Sequence, residues 1–142
     1  MIKAFQSLAI CTITIAFATF SIALAQTYTT VDFPGATATT LNGGPNPQGT
    51  SVGGYTLTAG GALHGFTLRN GVFTAFDPPG STFTTVNFIN PRGDIVGAYV
   101  DAGGVSHGFV LSGGTYTTVD YPGATGTALS SVNPSGEMSG AT

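Results

Sequence analysis

The sequence predicts an all-β protein built from tandem four-stranded units of about 43 residues, arranged as propeller-like blades in an incomplete ring. Three observations predict it. Short stretches rich in β-branched and aromatic residues alternate with Gly- and Pro-containing turns; the turns recur at fixed offsets; and no segment carries a helical apolar period with caps. A β-sandwich and a short β-solenoid are the competing architectures for the same pattern.

The first 25 residues stand apart from this pattern. Lys3 is followed by an uncharged run from Leu8 to Leu24, which closes in Ala23-Leu24-Ala25 before Gln26. A basic start, an apolar middle and a small-x-small end describe a secretory signal peptide, so cleavage is predicted after Ala25 and the mature chain is placed outside the cytoplasm, extracellular or periplasmic. A retained anchor is the alternative, since the run approaches the roughly 18 apolar residues that can span a bilayer. Its interspersed Thr and Ser and the missing basic stop-transfer cluster favour cleavage. Cys11 follows Ile10, where lipid attachment would want a small residue.

Residues 26–142 hold two basic residues, Arg69 and Arg92, against six acidic ones, a net charge of −4. Nucleic acid and anionic lipid both demand clustered Lys and Arg, so neither is an expected partner. The only cysteine lies in the leader, which leaves packing and backbone pairing to stabilise the rest. All 22 Gly and 8 Pro fall after the leader, a level that would suggest disorder if they did not recur in register.

Three landmarks carry the repeat. An Asp-x-Pro-Gly turn begins at Asp32, Asp77 and Asp120, at intervals of 45 and 43 residues; an Asn-Pro-x-Gly turn begins at Asn46, Asn90 and Asn133, at 44 and 43. His64-Gly65-Phe66 returns as His107-Gly108-Phe109, 43 residues on. Units are therefore expected at about 28–72, 73–115 and, in part, 116–142. In the middle unit the predicted strands are Phe73–Asp77, Thr82–Ile89, Asp94–Val100 and Val105–Leu111. Pro presets φ at the corner of Asn-Pro-x-Gly, while Gly49, Gly93 and Gly136 supply positive φ. Asp101-Ala102-Gly103-Gly104 turns between the third and fourth of these strands. The last six residues, Glu137 to Thr142, match Asp94 to Tyr99, so the pattern stops inside a unit. Either the chain is the front of a longer protein, or copies complete one another through open β edges; the first is the expectation.

These landmarks resemble those of bacterial extracellular repeat proteins of the HAF family, named for a His-Ala-Phe signature that here reads His-Gly-Phe at residues 64–66 and 107–109. The resemblance covers most of the chain after the leader. It implies secretion and a repeated β architecture, and brings no reaction with it.

Candidate sites follow from copy number and chemistry. His64 and His107 share a strand face with Phe66 and Phe109, so they are expected to be core or inter-blade residues whose ring nitrogens bond a neighbouring turn, with a metal-binding or catalytic role as the alternative. Asp32, Asp77 and Asp120 are expected to cap their own turns; a circle of carboxylates holding calcium is the alternative, and no other cofactor is expected. Among the tyrosines at positions 28, 55, 99, 116 and 121, Tyr55 and Tyr99 are equivalent and are the candidates for stacking on a sugar. No catalytic or cofactor-binding motif is present. A paired-carboxylate glycosidase would have to bring Asp94, Asp101 and Glu137 together. The expected function is a secreted, non-enzymatic scaffold contacting a surface, a glycan or a protein, with an extracellular polysaccharide hydrolase or lyase as the alternative.

Overall fold

The computed structural model describes residues 29–142, so the leader at 1–25 and Tyr28 lie outside the described residues. Ten strands follow one another with no helix among the described residues. They are β1 (Ala38–Leu41), β2 (Thr50–Thr56), β3 (His64–Arg69), β4 (Val72–Phe76), β5 (Phe83–Ile89), β6 (Ile95–Val100), β7 (Ser106–Ser112), β8 (Thr115–Val119), β9 (Ala128–Val132) and β10 (Met138–Ala141). All pair antiparallel, in three open sheets ordered β1-β2-β3-β4, β5-β6-β7-β8 and β9-β10.

The sheets are offset from the units expected from the landmarks. The strand beginning at Phe73 closes the first sheet instead of opening the second. The physical reason lies in the connections. Asn70-Gly71 and Gly113-Gly114 have positive φ at both residues (51° and 77°; 56° and 84°), the two-residue turn whose twist matches a hairpin. Each therefore joins the His-Gly-Phe strand to the strand after it. The Asp-x-Pro-Gly turn instead carries the chain to the next sheet. Its Gly35, Gly80 and Gly123 sit at φ 78°, 79° and 83°, and Ala36, Ser81 and Ala124 donate back to Phe33, Pro78 and Tyr121. With Pro first and Gly second this is a type II turn.

The sheets stack face to face. Val52 of β2 meets Val86, Ile89, Ile95 and Phe109 of the second sheet, with Phe76, Tyr99, Leu111 and Tyr116 packed around them. Val96 repeats the contact one sheet on, against Leu129 and Val132. Close approach explains two sets of glycines. A Cβ on Gly65 would lie 2.7 Å from Val86 Cγ2, and one on Gly108 would lie 2.6 Å from the Val119 carbonyl and 3.1 Å from Leu129 Cγ. One on Gly53 or Gly97 would strike the neighbouring strand's backbone and the ring of Phe66 or Phe109 at 2.8 and 2.9 Å.

Candidate functional site

The repeated polar residues fall into two groups, asparagines between sheets and histidine–aspartate pairs along one face. Each asparagine begins a turn in which Gly49, Gly93 or Gly136 donates to its carbonyl at 2.8 to 3.0 Å, with φ of 77°, 96° and 90° at these glycines. Its side-chain oxygen then accepts two backbone N–H groups of its own turn. For Asn90 these are Arg92 and Asp94, both at 2.9 Å. The amide nitrogen reaches across to the next sheet: Asn46 Nδ2 donates to the Asn90 carbonyl at 3.3 Å, and Asn90 Nδ2 to the Asn133 carbonyl at 3.2 Å. Asn90 is fully buried with its polar atoms satisfied, as a buried amide must be. A second rung is made by Asn42, which donates to the Val86 carbonyl, and Asn87, which donates to the Leu129 carbonyl. Sequence reasoning missed this rung because Asn42 precedes Asn46 by four residues while Asn87 precedes Asn90 by three.

The histidines bond neighbouring turns. His64 Nδ1 donates to Asp77 Oδ2 at 2.8 Å, and His107 Nδ1 to Asp120 Oδ2 at 2.9 Å. This corrects the expected role of those carboxylates, which bond a histidine on the adjacent strand instead of capping their own turns. The turns close through Pro-Gly geometry, and Thr39 and Thr127 hydroxyls accept from Phe33 and Tyr121 N–H, both at 2.9 Å. His107 has a second carboxylate, since Nε2 faces Asp101 Oδ2 at 3.4 Å. A carboxylate only accepts, so bonding both ring nitrogens requires the doubly protonated imidazolium. The hydrogen bond to Asp120 above all, joined by that to Asp101, holds His107 above its ordinary value of 6.5. The Val105 N–H bonded to Asp101 at 2.8 Å, together with His107, holds that carboxyl below its ordinary range.

The two tyrosines differ from the expected exposed platforms. Tyr55 is buried beneath Phe33, whose ring stacks on it with centroids 3.7 Å apart. Burial, with the Asp77 charge behind it, pushes the Tyr55 phenol up. Tyr99 is half-buried against the first core cluster, stacked on His107 at 5.1 Å, with its hydroxyl 3.0 Å from Thr118 Oγ1. Tyr116 is also half-buried, and Tyr121 alone of the described tyrosines is well exposed, at 65%.

The three carboxylates considered for glycoside hydrolysis do not converge. Asp94 and Asp101 flank β6, about 20 Å apart along an extended strand. Glu137 stands at the Asp94-equivalent place in the third sheet and accepts from Asn133 Nδ2. Asp94 is held by Ser112, Asn90 and Arg92, the first two of which chiefly lower its pKa. Among the described residues no three His, Cys, Asp or Glu side chains are grouped to hold a metal ion. No family model, curated protein or solved structure matches the chain.

Proposed function

We propose that this protein is a secreted, non-enzymatic β-repeat scaffold whose outer surface contacts a surface, a glycan or another protein. The observation that carries the reading is that the repeated polar residues are spent on architecture. Asn46 and Asn90 tie successive sheets, and His64 and His107 latch the turn that leaves each sheet. Residues so engaged recur because every copy must fold and stack, whereas a catalytic group is needed once. The leader-like residues 1–25 and the resemblance of the His-Gly-Phe strands to HAF-type repeats support a place outside the cytoplasm.

The test is a glycan array beside a pull-down on isolated cell-surface material, both with folded protein. Saturable retention on either supports the scaffold. Blank results on both, or reducing-sugar release from a polysaccharide panel that disappears in Asp94→Asn or Glu137→Gln, overturn it.

A further inference from the structure

Of the six asparagines, Asn46, Asn90 and Asn133 precede proline, Asn87 precedes Phe88, and Asn42 and Asn70 precede glycine. The distinction is chemical. The side-chain carbonyl carbon of an asparagine can be attacked by the backbone nitrogen of the residue after it. A proline nitrogen carries no hydrogen to give up, and a β-carbon hinders the approach, whereas glycine leaves it open. Two Asn-Gly steps are therefore chemically competent, and the fold treats them oppositely.

Asn42 is tied at both its backbone and its side chain. Its N–H donates to the Val52 carbonyl at 2.9 Å, and its amide donates across to the Val86 carbonyl of the next sheet. That second bond must break before Asn42 Cγ can swing onto the Gly43 nitrogen. Asn70 instead sits at the tip of the β3–β4 hairpin, outside the ladder that ends with Arg69 opposite Val72. Asn70 and Gly71 are both exposed, and a Cβ on Gly71 would meet nothing within 4 Å, so the attacking nitrogen lies in open space. The matching hairpin of the second sheet carries Gly113-Gly114 at this place and has no amide to lose.

We propose that Asn70-Gly71 is a self-modification site, where the chain converts an asparagine to isoaspartate with water as the only co-reactant, while the tie to Val86 protects Asn42-Gly43. The Gly71 nitrogen bonds to Asn70 Cγ, the Cγ–Nδ2 bond breaks, and ammonia leaves with the proton from the Gly71 nitrogen. Water then opens the succinimide ring at either carbonyl, giving aspartate or isoaspartate, and nothing is oxidised or reduced. Isoaspartate routes the main chain through its β-carbon and lengthens the turn, so the positive-φ pair at 51° and 77° no longer closes the hairpin. The Arg69–Val72 rung loosens, and with it the start of β4, whose Phe73 ring lies 5.2 Å from that of Phe66.

The test is to age the folded full chain in warm, mildly alkaline buffer and to map its peptides by mass spectrometry, with an isoaspartate-specific methyltransferase as the label. The mass change of a carboxyl for an amide is expected to accumulate at residue 70. At Asn42 it should appear about tenfold more slowly or less, the rate equivalent of one hydrogen bond that must break first. In guanidinium, which removes the tie, the two sites are expected to convert at similar rates. Asn70→Gly, which copies the Gly-Gly turn of the second sheet, should abolish the isoaspartate label and leave the circular dichroism spectrum unchanged. Three results overturn the proposal: equal conversion of Asn42 and Asn70 in the folded chain, conversion at residue 70 only in guanidinium, or an isoaspartate label that persists in Asn70→Gly.

Discussion

The first and second sheets share strand order, the register of their last three strands and the His–Asp latch, yet they finish their histidine faces differently. In the first, Phe33 folds over from the preceding turn and covers Tyr55, with Phe66 and Phe73 at 5.8 and 5.3 Å completing an aromatic cluster. In the second, the place of Phe33 falls to Pro78, the face packs on the first sheet, and the histidine gains a second carboxylate from Asp101, where the first repeat has Thr58. Among the described residues, the second copy is covered by a neighbouring sheet, whereas the first is covered by a single ring from a turn. Identical backbone demands thus fix the repeated residues, and position in the stack decides the others.

The sharpest test of that contrast is the asparagine ladder. Asn90→Ala deletes a fully buried side chain, leaves two part-buried backbone N–H groups without their acceptor and removes the tie to Asn133, so a loss of about 2–3 kcal/mol is expected in urea unfolding. Asn46→Ala makes the same deletion at a half-exposed turn, where water replaces the lost bonds, and about 1 kcal/mol is expected. Equal losses would break the distinction between the first and second sheets.

A smaller effect tests the aromatic cover. Phe33→Ala should cost about 1–2 kcal/mol and expose Tyr55, read as a loss of thermal stability together with increased tyrosine quenching by acrylamide. Unchanged quenching would show that Tyr55 is protected without Phe33.

The smallest effect concerns the second carboxylate. His107 titrates above 6.5 in the folded chain, so its contribution is fully present below that pH and is lost as pH rises through the raised value. Asp101 has the opposite sense: its folded pKa is depressed, so its contribution is present above about 3.8 and is lost as pH falls through the lower, folded value. The pair therefore favours the fold most between these limits. Asp120→Asn should lower the His107 pKa most and Asp101→Thr less, each flattening the decline of stability above pH 6.5, with NMR titration of the ring protons as the measurement. A His107 pKa unmoved by either change would remove both carboxylates as its cause.

Much of this was legible in the chain itself. The 43-residue spacing, the Asn-Pro-x-Gly corners and the β-rich stretches between them determined an all-β repeat, and predicted strand limits in the middle unit differ from the observed ones by about one residue. Local geometry suffices there, because Pro and Gly impose φ without help from distant residues. The tertiary structure decided what spacing cannot encode. It assigned the strand at Phe73 to the first sheet, although Asn70-Gly71 was a hairpin signal in plain view. It also gave Asp77 and Asp120 to the histidines, and placed Tyr55 under Phe33. In each case the partner lies on another strand or in a turn of the same sheet, and only the pairing of strands, which sets Gly65 opposite Phe76 and Gly108 opposite Val119, brings such partners within bonding distance.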